Sequence, residues 1–582
     1  MNVVKIFEQK RLGLNSAAII FIFYSLVFLW SRFQLIGNHF THYDDLYAPY
    51  LFGVIGNYDP IYFSHQIVKY GGDIGQSLAP WVLGFMTEHT ALFEFVKKLL
   101  VPIAIAKSST FAPLQFFLTA FTINLDESYA VSLITSRLPS TIFSIATLFI
   151  LWRFSKCFIG QLQQYFLLVG GLIISFSWMF LVYSVQAENY AAGVFSVITL
   201  IYIYALNSNK CIARKDSIGL GFILSVLCLL HYQTLFFLPG FYIGIVYSNR
   251  SDFYYRLRRW FPCIIINLIM VALTYYLFIG PLQARDPGIG WNAGPQLQYL
   301  FNQNCGDGWL GCVFQVFTNN ILEVVQSIIS FSDLGSPISI LYGIVVLIMS
   351  GVGLIFLLVC KDDRLRGLGI MVSVTIFVWI FLVMMKSLAF SPTRHSLVLL
   401  VPVSLLASYG VYALKRFIPI YLVPMFDYSV MVICLIVTVL FFWEFDAQKT
   451  ERQDAFRLLN IESLINQFNV GTIITYGYTF NMAFVPMVKN GYSEHFENIK
   501  PYTLKYSSKN RNRDSIMVVC AGAPLCRPVE SLQTTEILSN LRGNQLPLKL
   551  RYHYEHKSNV LNCFGSKAGE GTNSIYLGVW SK

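Results

Sequence analysis

AAIIFIFYSLVFLW, residues 17–30, is an almost wholly apolar run preceded by Lys5, Lys10 and Arg11, and no cleavable-signal pattern surrounds it. With its flanks it is long enough to cross the ~30 Å hydrocarbon core of a bilayer. Basic residues ahead of a first span mark the cytoplasmic side. The run is therefore expected to be a retained first membrane helix with the N-terminus in the cytoplasm.

Outward from this stretch, apolar windows of ~20 residues recur. They fall near 138–153, 162–184, 189–206, 217–231, 234–248, 260–280, 337–360, 367–386, 396–414 and 424–443, which makes about eleven spans with the first. The pair around His231-Tyr232-Gln233-Thr234 reads either as one bent span or as two short ones. Charge discriminates between these, because cytoplasmic loops carry the excess of Lys and Arg. With two crossings there, every loop on the inner side is basic: Arg153 and Lys156; Lys210, Arg214 and Lys215; Arg256, Arg258 and Arg259; Lys361, Arg364 and Arg366; Lys415 and Arg416.

Composition agrees. The chain has 582 residues, of which 55% are hydrophobic, 16% aromatic and only 13% charged. Its mean hydropathy is +0.56. Soluble chains carry about 25% charge, so lipid is the expected solvent for most of this one. The net charge of +11 is accounted for by topology signals, and nucleic acid is not expected as a partner. The fold class expected is a polytopic α-helical membrane protein over 1–443, followed by a small mixed α/β domain over 444–582 outside the membrane.

This map leaves three large pieces on the outer side. Residues 34–136 carry turn punctuation and half-apolar stretches that suit interfacial helices. Residues 281–336 form a loop with Asp286-Pro287-Gly288, and the tail contains β-type runs at 472–476, 516–519 and 574–580. Cys305 with Cys312, and Cys520 with Cys526, are spaced for local disulfides in an oxidising compartment.

Chemistry is concentrated on the same side. Asn38-His39-Phe40-Thr41-His42-Tyr43-Asp44-Asp45 follows the first span. Adjacent acids in a loop are ordinarily solvated, but ionisable residues beside a membrane span point to function. A partly desolvated carboxylate there suits a general base for an acceptor hydroxyl. Arg137 opens the second span, Glu188 lies between the third and fourth, His231 marks the next outer tip, and Arg394-His395 open a later span. Each Arg alone reads as snorkelling at a helix end. Together the set suits a site that holds a phosphate, since a guanidinium forks onto two oxygens.

These motifs resemble the GT-C superfamily of membrane glycosyltransferases, and within it the branch of protein O-mannosyltransferases and lipid A aminoarabinose transferases. The counterparts of that branch's motifs are Asp44-Asp45, Ala112-Pro113-Leu114, Arg137-Leu138-Pro139-Ser140 and Gln186 to Tyr190. Asp45 stands where the family usually has Glu, and Ala112 where it has Pro. The resemblance covers the first ~200 residues in order and spacing, and the later spans in general plan. It implies Asp44 as catalytic base, roles for Asp45 and Glu188, a functional Arg137, and Lys107 as a loose match to a family lysine; the residue set itself adds Arg394, His395 and His231 to Arg137 as the expected donor-phosphate site.

No nucleotide-binding motif is visible, so the expected donor is a sugar on polyprenyl phosphate. The acceptor is a hydroxyl on a glycan, lipid or protein, and the reaction is an inverting displacement on the extracytoplasmic face of a bacterial plasma membrane. The scheme requires no cofactor and leaves a divalent metal open. A lipid-linked oligosaccharide polymerase or ligase, and a transporter or flippase, are the alternatives. The transporter predicts inverted repeats and mid-membrane charges; neither is visible here.

Overall fold

The computed structural model describes residues 3–36, scattered positions within 76–95, and residues 112–123, 129–158, 161–208, 212–248, 253–279, 321–331, 337–384, 394–458 and 461–476, followed by strand segments between 496 and 581. The chain is a polytopic helical membrane protein. Among the described residues, 8 helices are long and apolar enough to cross a membrane, or 9 when one bent pair is counted as a span.

The first is α1 (Val3–Leu35), whose apolar segment is Ala17–Leu35. A short helix α2 (Pro113–Thr122) begins with its proline, which suits the first turn of a helix because the missing N–H has no partner there anyway. It packs on α3 (Tyr129–Ser155). Next comes α4 (Gln161–Phe176), which contains a π-helical turn at Phe166–Gly170, and then α5 (Trp178–Ser184), bent from α4 by 62°. The bend has a local cause. The Ser177 hydroxyl accepts from the Phe180 N–H at 3.1 Å, capping α5, and donates to the Ile328 carbonyl at 2.6 Å. The Trp178 N–H donates to the Ser330 carbonyl at 2.7 Å, so segment 321–331 satisfies the backbone groups that the break releases.

Helix α6 (Tyr190–Asn207) packs on α3, and α7 (Arg214–Leu230) packs on α9 (Phe253–Thr274). Between α7 and α9 the chain breaks at His231, whose backbone is extended (φ −157°, ψ 117°). It then runs through a 3-10 turn, Tyr232–Phe237, into α8 (Leu238–Tyr247). The break expected at His231 is present. About eleven spans are expected from sequence, against eight or nine long apolar helices among the described residues, because the two segments flanking this break are short: α7 has 17 residues and α8 has 10.

The remaining helices are α10 (Pro337–Leu358), α11 (Asp363–Met384), α12 (Leu400–Lys415, entered through a 3-10 turn Arg394–Leu399) and α13 (Val423–Leu458). Glycine sets two of their contacts. A Cβ on Gly353 of α10 would strike the Leu406 carbonyl, and one on Gly410 of α12 would strike the Met349 carbonyl, so the two backbones touch directly. Helices α8 and α11 approach similarly, with Gly240 and Gly244 against the carbonyls of Met371 and Gly367. Lipid offers no hydrophobic drive between spans, so close backbone packing through small residues is a main source of their association.

Burial orders the spans. The apolar stretches of Tyr190–Asn207 and Arg394–Lys415 are 67% and 72% buried, against 22% for those of Phe253–Leu277 and Val423–Asp446. The first two are central and the last two peripheral among the described residues.

After α13, α14 (Ile461–Gln467) ends in a left-handed residue, Asn469 (φ 45°). The Val470 N–H reaches back to the Ile465 carbonyl at 3.1 Å and the Asn469 N–H to Asn466 at 3.4 Å, the Schellman pattern, in which asparagine tolerates the left-handed conformation. A six-stranded mixed sheet follows in the order β2-β3-β1-β4-β6-β5. Its strands are β1 (Thr472–Tyr476), β2 (Phe496–Lys500), β3 (Thr503–Ser507), β4 (Ile516–Ala521), β5 (Lys549–His556) and β6 (Ile575–Ser581). Only β1 and β4 pair in parallel. The three β-type runs expected from sequence correspond to β1, β4 and β6. Cys520 lies in β4, while Cys305, Cys312 and Cys526 lie outside the described residues.

Candidate functional site

The site begins with a polar stripe on α3. Ser136, Arg137, Ser140, Thr141, Ser144 and Thr147 are all buried, at the three- and four-residue spacings that share one helix face. Buried polar groups require partners, and this face finds them on neighbouring segments. Arg137 donates from Nη1 to the Ile36 carbonyl at 2.8 Å, just past the end of α1. The Thr141 hydroxyl donates to the Ser184 carbonyl at 2.9 Å, and that of Ser140 to the Glu188 carbonyl at 2.8 Å.

These bonds fix the loop between α5 and α6. Val185, Gln186, Ala187, Glu188 and Asn189 are all buried, an unusual state for a loop. From α2, the Gln115 amide donates both to the Ser140 hydroxyl at 2.6 Å and to the Glu188 carbonyl. The backbone of Glu188 is thus held by two side chains from two other helices.

Its carboxylate meets a cation from far along the chain. Arg394 Nη1 lies 3.5 Å from Glu188 Oε2, with the Arg side chain 11% exposed and the Glu 1%. The Arg394 guanidinium carbon also lies 5.5 Å from the centroid of the Tyr190 ring. Tyr190 is the hub of a small aromatic group. Its hydroxyl is 3.4 Å from His395 Nδ1, and its ring centroid is 5.5 Å from that of His231 and 5.1 Å from that of Tyr183. His231 is buried, and its Cγ would stand 2.8 Å from a Cβ on Gly193, one turn along α6 from Tyr190.

Of the residues singled out in the sequence, Glu188, Arg394, His395 and His231 converge around Tyr190, and Arg137 lies on the adjoining face of α3. Asp44, Asp45 and Lys107 lie outside the described residues. Gln115 and Ser140 were not assigned a role from sequence. Gln115 directly follows the Ala112-Pro113-Leu114 motif, and Ser140 is the last residue of the motif that Arg137 opens.

Chemically, the arrangement offers an acid–base pair withdrawn from water, a phenol and two imidazoles. Among the described residues no three His, Cys, Asp or Glu side chains are grouped to hold a metal ion. No protein-family model, curated protein or solved structure matches this chain.

Proposed function

We propose that this chain is a membrane glycosyltransferase of GT-C type, which transfers a sugar from a polyprenyl-phosphate donor to an acceptor hydroxyl on the extracytoplasmic face of a bacterial plasma membrane. In this reading the two short segments around His231 each cross the membrane, giving eleven spans, and residues 444–582 form an extracytoplasmic domain. The observation that carries the proposal is where the Glu188–Arg394 pair lies. It stands at the ends of the two most buried spans, and its members are 206 positions apart in sequence. A structural pair holding two central spans together would need no phenol and two imidazoles beside it.

In the proposed reaction Asp44 takes the proton of the acceptor hydroxyl as its oxygen attacks the anomeric carbon. The bond from that carbon to the donor phosphate oxygen breaks, and the phosphate leaves on its lipid with an added negative charge. Arg394, steadied by Glu188 and stacked near Tyr190, stabilises this charge. His395 and His231 sit beside it, and Arg137 fixes the end of α1, from which the segment bearing Asp44 and Asp45 departs. The attack is inverting, with oxocarbenium character in the transition state.

Transfer of radiolabelled sugar from a panel of synthetic polyprenyl-phosphate sugars, by purified protein supplied with crude acceptor extract, tests the reading. Wild type is expected to consume one donor, and Asp44→Asn to lose most of the activity while remaining folded. Full activity in Asp44→Asn would remove the base assignment. Consumption of no donor by folded wild type would remove the reading itself.

A further inference from the structure

Arg32 belongs to the last turn of α1 and is only 1% exposed. An arginine at the end of a span ordinarily extends toward the nearer membrane surface. Arg32 turns the other way. Its guanidinium carbon lies 3.3 Å from the centroid of Phe28, one helical turn back toward the middle of the span, and 5.7 Å from that of Phe180 on α5. The cation is therefore kept inside the bundle although an exit is close by.

Its hydrogen bonds are incomplete on one side. Nη1 donates to the Ser31 hydroxyl at 3.0 Å and, more weakly, to the Ser175 carbonyl at 3.5 Å. Nε and Nη2 are buried and have no partner, and the Ser175 hydroxyl is in the same state. Among the described residues no carboxylate pairs with Arg32. Nε and Nη2 carry the parallel N–H bonds of the guanidinium's side edge, the edge that forks onto two oxygens of one oxyanion. An uncompensated buried charge with two empty donors is costly, and an oxyanion with two oxygens would satisfy both.

Position narrows the source of that anion. Arg32 is three residues from the end of the span at Leu35, roughly 4.5 Å of helical rise. That depth borders the headgroup region, where the phosphates of lipids lie. The residue is also joined to the candidate site. Its carbonyl accepts the Ile36 N–H at 2.8 Å, and the Ile36 carbonyl accepts from Arg137. Phe180, which flanks the guanidinium, is on the helix that leads into the Glu188 loop.

We infer that the Nε/Nη2 edge of Arg32 binds the phosphate of a polyprenyl phosphate. The inference rests on the lipid-donor reading and adds to it a phosphate ligand inside the bundle that no motif marks.

Titration of purified full-length protein in detergent with undecaprenyl phosphate, followed by the ligand-dependent rise in unfolding temperature, tests it, with phosphatidylglycerol and inorganic phosphate titrated in parallel. Wild type is expected to bind undecaprenyl phosphate saturably. Arg32→Gln is expected to weaken that binding about tenfold to hundredfold, in line with charge-assisted hydrogen bonds. Arg32→Lys, which keeps the charge and much of the packing, is expected to weaken it too, because an ammonium has no fork. Should Arg32→Gln not fold, Arg32→Lys gives the reading alone. Unchanged affinity in the folded variants overturns the inference and leaves the transferase reading standing. Equal Arg32-dependent binding of phosphatidylglycerol or inorganic phosphate overturns the polyprenyl assignment. Wild type that binds no undecaprenyl phosphate, yet transfers sugar in the donor assay, overturns the inference alone; failure in both assays removes both readings.

Discussion

Gly193 and His231 are in contact so close that a single methyl group on the glycine would stand 2.8 Å from Cγ of the imidazole. The imidazole can lie against α6 only because position 193 has no side chain. Gly193→Ala is therefore expected to push His231 away from Tyr190, at a cost of about 1–3 kcal/mol in stability, as for an overpacked core. Transfer activity per folded molecule should fall with it. Wild-type activity in a folded Gly193→Ala protein would show that His231 has no part in the reaction.

The Glu188–Arg394 pair makes a sharper test. Breaking a buried pair by removing one partner costs up to about 3–5 kcal/mol, whereas replacing both charges together costs much less. Glu188→Gln and Arg394→Gln should each lower the unfolding midpoint strongly, and the double variant should recover much of the loss. Activity should not recover in the double variant, because the reaction needs the cation. A double variant that regains activity would reduce the pair to a packing device.

Far from these residues, Lys415 Nζ lies 2.7 and 2.6 Å from the two carboxylate oxygens of Asp427, and the Tyr165 hydroxyl donates to the same carboxylate. This cluster ties α4, α12 and α13 together. Asp427→Asn is expected to cost about 1.5–3 kcal/mol, the range for hydrogen bonds to charged groups. Transfer by the folded fraction should be unchanged. A selective loss of activity at full stability would show that this cluster communicates with the site.

At the contact of α10 with α12, Gly353→Ala and Gly410→Ala should each separate two touching backbones. A loss of about 1–3 kcal/mol per substitution is expected, measured as a lowered unfolding temperature in detergent. Retained stability in both would mean that the helices meet elsewhere.

Much of this architecture was legible in the sequence because lipid enforces it. A span must be continuously apolar, so residues 17–30 and their successors stand out, and the polar quartet at His231 announced its break. The bend at Ser177 was not legible, since its cause is a carbonyl in segment 321–331, far along the chain. Glu188, Arg394, His395 and His231 could be singled out because charged or titratable groups are rare in such a chain. Their meeting around Tyr190 depends on tertiary packing, which local pattern does not encode. Gln115 and Ser140 are neutral, and nothing in their spacing distinguishes them from hydroxyls and amides that merely bond within a helix. Arg32 was overlooked for the opposite reason: a cation at the end of a span has an ordinary explanation, and only its inward turn sets that aside.

Loops are usually where a lineage adds and removes residues, because their ends are anchored and their middles are wet. The five residues from Val185 to Asn189 have no wet middle. With Ser177 pinned before them and Tyr190 seated in its aromatic group after them, the number of residues between those two points acts as a ruler that sets where Glu188 stops. One residue more or fewer would carry the carboxylate past Arg394 and detach its carbonyl from Gln115 and Ser140 together. Relatives of this chain should therefore vary freely in the lengths of their other connections and keep this one constant, and an engineer grafting a new acceptor preference would do well to leave its length alone.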